Sequence, residues 1–522
     1  TRGKFSVKFG SQYRNRGYPV QTNKNTKISN IWFLTNELFS SMNILIAGAS
    51  GYVGTLLIKK LAEENHNIKC ISRSPKVIES RFPDLNLTTY EGDLLSLKEG
   101  SPAFEDIDVA YYLVHSLSAG KDFPAQEFMC AQNFIKAANA AKIPKVIYLG
   151  GLANDQSELS KHLKSRLEVG AVLRSTNVTC VELQASVIIG SGSLSYEIMK
   201  NLVERLPVMI TPKWVSSMSQ PIWIEDALKY LTQSAEIKFN SSVIVQIGGP
   251  DVVTYKHLMQ IYADLRNLRR IMISVPVLTP NLSSKWLGLV TPVYARVGKK
   301  LIESLKTDSI ITKANQQYSF EIIPCGVEEA IKNTMDMDDG PSESTWYNST
   351  SSSVVIKSHK KSRYHKYLLT DIREKTVKAN AQNAFKPINE IGGQNGWYYA
   401  NTLWKIRGWI DLLAGGVGIR RTRRNTQNFI IGDPLDWWRI SHYIPDTLVR
   451  LGAEMKVPGK AWLQFEVIPD GDRCTIRQTA GMETDNFIGL IYWYVLFPLH
   501  ALIFKGMLDA IGKKASRGQD LT

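Results

Sequence analysis

Asn43-Ile44-Leu45-Ile46-Ala47-Gly48-Ala49-Ser50-Gly51-Tyr52-Val53-Gly54 decides the fold of the first part of this chain. The apolar run 44–47 reads as a short buried strand, the glycines at 48, 51 and 54 break it, and the pattern over 55–64 reads as a helix. Each glycine has its own task. Gly48 permits a tight turn, Gly51 lets the backbone approach a pyrophosphate, and Gly54 lets helix pack on strand. The helix then presents its N–H groups and positive dipole end to that anion. Ser50, Tyr52 and Val53 belong to the same loop and helix start, and join the three glycines as candidate cofactor contacts.

Outward from this loop the pattern alternates. Strand-like runs at 68–72, 87–90, 109–114, 146–149 and 178–183 are separated, in the later part, by helical patterns at 125–141 and 159–173. Such alternation argues for a parallel sheet covered on both faces, and right-handed crossovers make it doubly wound. Residues 243–247, closed by Gly248-Gly249-Pro250, read as a further strand. The stretch 254–330 reads mostly helical, broken at Pro276, Pro280 and Pro292.

A polar, turn-rich stretch at 336–362 reads as a linker or loop, and the composition changes after it. Seven of the 12 tryptophans lie beyond residue 362. Strand-like runs at 429–432, 461–467 and 474–479 precede one long apolar segment, 487–504, which suggests an antiparallel sheet closed by a C-terminal helix. The expected architecture is an α/β doubly wound parallel sheet of the Rossmann type over 42–335, the linker 336–362, an α+β domain over 363–512 and a tail over 513–522. Residues 488–504 carry no charge but include Gly489, Pro498 and His500. A membrane span wants ~20 apolar residues, and polar tips such as Tyr492, Trp493 and Tyr494 are costly in hydrocarbon without partners. The expectation is a helix held in a sheet-walled cavity, with peripheral membrane contact as the alternative.

The chain has 522 residues, 44% apolar and 21% charged, which excludes wholesale disorder, collagen-like repeats and an all-membrane protein. Its net charge of +15 is uneven: residues 1–41 hold seven basic residues against the single acid Glu37. This segment reads as an unstructured basic tail, either upstream sequence or an organellar transit segment, and it lacks a secretory apolar region. With the tail set aside the remainder is mildly basic, so no nucleic-acid partner is expected. The five cysteines are scattered without a Cys-x-x-Cys pair, so neither a disulfide framework nor a metal site is expected, and the compartment reads as cytoplasmic.

The residue that tunes the cofactor lies about 20 positions past the glycine loop, where an acid would bind the ribose 2′-OH of NAD. This chain has Ser72-Arg73-Ser74 there. A guanidinium suits a 2′-phosphate, and the two hydroxyls add donors, so NADP is expected over NAD. Asp93, followed by Leu94 at the end of the third strand-like run, is placed to meet the adenine, unless it is a simple turn acid.

These residues carry a resemblance. The loop 48–54, Asp93 and the strand–helix order resemble the extended and atypical short-chain dehydrogenase/reductases. Arg73, Leu149-Gly150-Gly151-Leu152 and Gln220-Pro221-Ile222-Trp223-Ile224-Glu225-Asp226 resemble the NmrA-like NAD(P)-binding branch. The likeness covers about 42–330. Residues 363–512 resemble the domain of unknown function often fused behind that branch. Gly396-Trp397-Tyr398-Tyr399, the basic run 420–424, the stretch 432–439 and Ala453-Glu454-Met455-Lys456 carry this second likeness. That family is similar to the helix-grip, START-like superfamily, which implies a curved sheet wrapping a long helix around a lipophilic cavity. Gly150, and His115 after the fourth strand, fall where the first family contacts its cofactor.

The resemblance also shows what is missing. The superfamily uses a Tyr, a Lys four residues later and an upstream Ser. The corresponding helix here reads Leu159-Ser160-Lys161-His162-Leu163-Lys164-Ser165-Arg166, with His162 at the Tyr position, Arg166 at the Lys position and a glycine at the Ser position. His162 and Arg166 are therefore the candidate catalytic residues, with a pair that has no proton chemistry as the bland alternative. Two functions remain. One is an NADP-dependent oxidoreductase acting on a small lipophilic or quinone-like substrate. The other is a non-catalytic NAD(P)H-binding sensor or accessory protein with a lipid-binding C-terminal domain.

Overall fold

The computed structural model describes residues 41–115, 123–154, 159–275, 303–312, 320–338, 367–413, 416–418, 428–485 and 487–517. The basic tail, the proline breakers 276, 280 and 292, and most of the expected linker lie outside the described residues.

A seven-stranded sheet organises the first part. Its strands are β1 (Asn43–Ala47), β2 (Asn67–Ser72), β3 (Leu87–Glu91), β4 (Val109–Tyr112), β5 (Lys145–Gly151), β6 (Thr179–Ala185) and β7 (Val243–Ile247). The spatial order is β7-β6-β5-β4-β1-β2-β3, and every pairing is parallel. Order reverses between β1 and β4, and an open α/β sheet forms its ligand crevice at such a point. Side chains alternate between two cores. Ile44 and Ile46 pack with Leu57, Ile58 and Leu61 of α1 (Tyr52–Glu63). Leu45 and Ala47 face the opposite layer, with Phe134 of α3 (Phe123–Ala140) and Val169 of α4 (Lys161–Leu173). A seven-residue helix, α2 (Pro75–Arg81), links β2 to β3.

Beyond β6 lies a smaller helical core of α5 (Leu194–Arg205), α7 (Tyr255–Leu265) and α8 (Val327–Asp338), while α6 (Ile224–Glu236) returns to the main sheet. The stretch expected to be helical contains a strand, Ile271–Val275, parallel to Val208–Pro212. Its run of β-branched and apolar residues is satisfied by that neighbour. Helix α8 runs to Asp338, past the expected domain end at 335. Asp226 is buried, bridges Lys229 at 2.9 Å and accepts the Cys325 N–H at 2.9 Å, so this part of the 220–226 motif fastens the fold.

The C-terminal part is a separate α+β unit. Strands β8 (Tyr367–Val377), β9 (Pro434–Leu435), β10 (Trp438–Ile444), β11 (Leu448–Ala453), β12 (Lys460–Asp470) and β13 (Arg473–Thr484) form an antiparallel sheet in the order β8-β13-β12-β11-β10-β9. On it lie α9 (Ala381–Asn389) and the long α11 (Phe487–Arg517), with α10 (Asn401–Leu413) beside them. The run expected as a strand at 429–432 is instead a turn: Gly432 sits at φ +89° and its N–H bonds the Ile440 carbonyl at 2.7 Å. Helix α11 continues past the expected boundary at 512 to Arg517.

Where the tryptophans meet they are core: Trp397 stacks on Trp437 at 6.3 Å and 9°, and Trp404 packs against Trp437 and Phe504. One expectation for this unit needs correction: 487–504 is not enclosed. Ile503, Phe504, Met507, Leu508 and Ile511 enter the core, but only 22% of the helix's most apolar stretch is buried.

The two parts touch. Arg81, at the end of α2, and Asp433 are bridged at 2.9 Å, each side chain 5% exposed. Arg81 also donates to the Thr55 hydroxyl on α1 at 3.2 Å. A Cβ at Gly432 would come within 2.9 Å of Val77, so glycine lets the C-terminal turn lie flat on α2.

Candidate functional site

The loop after β1 is shaped by its glycines. Gly48 has φ +97°, and a Cβ there would stand 2.6 Å from the Leu113 backbone. A Cβ at Gly54 would stand 2.3 Å from the Gly48 carbonyl oxygen. The turn closes through Gly51 N–H to Gly48 O at 2.9 Å, and α1 begins at Tyr52, earlier than its apolar period predicts. Gly51 is the N-cap, no side chain caps the helix, and no acid sits in its first turn. An uncapped helix start behind a glycine turn is a cradle for an anion.

Arg73 stands exposed at the end of β2, and among the described residues it has no ion-pair partner. The Ser72 hydroxyl accepts the Ser74 N–H at 3.2 Å. Asp93 accepts the Leu95 N–H at 3.1 Å, so it is a turn acid with its second oxygen still available to a ligand, while Leu94 is buried and offers only backbone. Asp93, Gly92 and Ile71 line a cleft of ≈ 330 Å³ beyond β2 and β3. Burial, helped by the Asp93 carboxylate and opposed by the Arg73 guanidinium, pushes the Cys130 thiol up to about 12.

The structure brings His162 and His115 together. Their Nε2 atoms are 2.9 Å apart. His115 Nδ1 lies 2.9 Å from Glu127, which is 3% exposed and also accepts from the Ser165 hydroxyl at 2.5 Å. His162 Nδ1 lies 3.0 Å from the Ser304 hydroxyl, itself 2.8 Å from that of Ser160. One proton arrangement satisfies the whole line: Ser304 donates to His162, His162 to His115, and His115 to an ionised Glu127. Arg166 goes elsewhere. Its guanidinium donates to the Leu149 carbonyl and covers the Tyr148 ring at 5.0 Å, and Tyr148 in turn donates to the Arg166 carbonyl at 3.0 Å.

A family model described as NAD(P)H-binding matches residues 48–196. These residues form an NAD(P)-binding domain. A second model, described as a protein of unknown function (DUF2867), matches residues 363–507. No curated protein matches. Among solved structures, the NAD-dependent NDP-hexosamine 5,6-dehydratase TunA matches at 15% identity, covering 57% of this chain and 97% of its own, with TM-score 0.43. UDP-glucuronic acid 4-epimerase from Bacillus cereus, in complex with UDP-glucuronic acid and NAD, matches at 18% identity, covering 57% and 99%, with TM-score 0.43.

Within the NAD(P)-binding domain, Gly150 is buried, and a Cβ there would meet the Glu182 carboxylate at 3.1 Å and the Tyr148 ring at 3.2 Å. A larger residue would press on these two side chains, and glycine itself offers only backbone to a cofactor at this position. Glu127 and Ser304 escaped the sequence reading. Glu127 gave one faint signal: it falls on the apolar stripe of α3, at the spacing of Phe123, Cys130 and Phe134, where an acid has no reason to be without a partner. Ser304 gave none.

Proposed function

We propose that the protein is an NADP(H)-dependent oxidoreductase whose substrate is a small lipophilic carbonyl or quinone. The observation that supports this most is the line Glu127–His115–His162–Ser304, which ends in a hydroxyl beside the NAD(P)-binding sheet. The loop 48–54 and the uncapped start of α1 fit the pyrophosphate, Arg73 fits the 2′-phosphate, and the cleft at Asp93 fits the adenine. A bound nicotinamide supplies the hydride. The chain's own part is the proton: in the oxidising direction Ser304 Oγ would take the proton of a substrate hydroxyl as it gives its own to His162 Nδ1, His162 Nε2–H passes to His115 Nε2, and Glu127 holds the positive charge that develops on the pair, while reduction runs the same transfers in reverse. The exposed apolar surface of α11 supports a lipophilic substrate.

A specific observation favours the second reading, a binder without turnover. Both nitrogens of His162 and the guanidinium of Arg166 already bond within the protein. Stopped-flow oxidation of NADPH over a panel of quinones and aldehydes separates the two. Turnover in the parent, reduced ~10²–10⁴-fold in His162→Ala at unchanged NADPH affinity, supports the enzyme. No turnover with any substrate supports the binder.

The cofactor preference has its own test. Calorimetry should show NADPH bound more tightly than NADH by roughly 10- to 150-fold, the ~1.5–3 kcal/mol of a charge-assisted contact, and Arg73→Ala should erase the difference. Equal affinities in the parent would return the assignment to NAD.

A further inference from the structure

The outer face of two C-terminal helices is apolar where a soluble surface would be polar. On α10, Trp404, Gly408 and Asp411 turn inward, while Ile406, Trp409 and Ile410 are 50–58% exposed. On α11 the inward stripe is Gly489, Trp493, Ile503 and Phe504, and the outward one carries Phe487, Ile488, Tyr494 and Val495, 65–72% exposed. The two faces are neighbours. Arg407 of α10 donates to the Tyr492 hydroxyl of α11 at 3.3 Å, and Trp404 packs on Phe504. Scattered exposed apolar residues need no explanation, but two adjacent helices both turned inside out do.

The exposed charges on this part of the two helices are basic. On α10 and the first nineteen residues of α11, the exposed or half-exposed charges are Lys405, Arg407 and Lys505, and the one acid, Asp411, is 2% exposed and accepts the Lys456 N–H. Lys456 stands exposed on the loop whose Pro458 carbonyl lies against Gly489, and Lys460 stands exposed at the start of β12, in register with Glu483. Asp485, just before α11, is the exposed acid at the rim.

Helix α11 is long and apolar enough to cross a membrane by length and composition. Its geometry argues otherwise. The exposed stretch 487–502 covers only ~24 Å at ~1.5 Å per residue, short of a ~30 Å hydrocarbon core. Protein also lies along its inner side throughout, from Thr484 and Pro458 at Gly489 to Tyr399 at Gly506, and a span would carry those groups into lipid.

We propose that α10 and the first half of α11 form a monotopic seat that lies in one leaflet of an anionic membrane, apolar faces down and the lysines at headgroup level. This does not depend on turnover at the NAD(P)-binding domain.

The test uses the full chain and sedimentation with vesicles of phosphatidylcholine, alone or mixed with phosphatidylglycerol. Binding should be strong to the anionic vesicles, weaker to the neutral ones and reduced by salt. The double variant Ile406→Glu/Trp409→Glu should lose at least ~100-fold in partitioning while keeping its circular dichroism and NADPH binding, and Ile406→Leu should bind as the parent does. Three results would overturn the proposal. The first is a parent that stays in the supernatant with every vesicle. The second is membrane-bound protein that resists alkaline wash, which marks a span. The third is a dimer in sedimentation that the same double variant dissociates, with no vesicle binding, which makes a second copy the occupant.

Discussion

Gly51→Val abolishes NADPH binding and leaves the far-ultraviolet circular dichroism of the parent. Gly51 sits at φ −76°, ψ 172°, an extended conformation that valine adopts freely, so the turn to Gly48 and the start of α1 survive. A branched side chain at the mouth of the loop instead holds the pyrophosphate off the N–H groups. Losing two charge-assisted hydrogen bonds costs about 3–6 kcal/mol, or roughly 10²- to 10⁴-fold in affinity. Gly48→Val is the contrasting variant. At φ +97°, with its Cβ 2.6 Å from the Leu113 backbone, it also strains the junction of β1 and β4. It should bind no cofactor and unfold at a lower denaturant concentration. If Gly51→Val quenches on NADPH as the parent does, the loop is not a phosphate cradle.

Asp433→Ala should be the most destabilising single change at the junction of the two parts, by about 3–5 kcal/mol, because it strands the Arg81 guanidinium in a buried site. Burial alone already lowers the pKa of that guanidinium, and Asp433 opposes the shift. The paired variant Arg81→Met/Asp433→Leu removes both charges and should recover most of the loss. Denaturant midpoints decide the matter. A midpoint for Asp433→Ala within error of the parent would mean that water reaches Arg81 and that the bridge is a surface contact.

The NAD(P)-binding domain was legible because its signals are local. A glycine spacing, a strand before it and a helix after it fix the chain through backbone sterics, and period-two or continuous apolar runs mark the strands. The C-terminal domain was legible only in outline. Residues 429–432 look like a strand by composition, yet Gly432 at positive φ makes a turn whose partner, Ile440, lies eight residues on. How much of 487–504 is covered depends on what the rest of the domain places beside it, which no window on that segment contains. In the candidate site, His115 and His162 were each visible as residues. Their pairing was not, since they stand 47 positions apart in sequence and only the packing of the fold brings them together. Arg166 was visible at the right spacing but is held by Leu149 and Tyr148.

The Arg81 bridge has a consequence beyond stability. Helix α1, which starts at the glycine loop, is bonded at Thr55 to the same guanidinium that Asp433 holds from the other domain. Binding energies at two sites joined in this way are linked, and linkage is reciprocal. Occupation of the cofactor loop should raise the resistance of the C-terminal sheet to unfolding. Anything that binds the C-terminal domain and tightens its grip on α2 should raise cofactor affinity by the same factor, so that each half acts as an effector of the other.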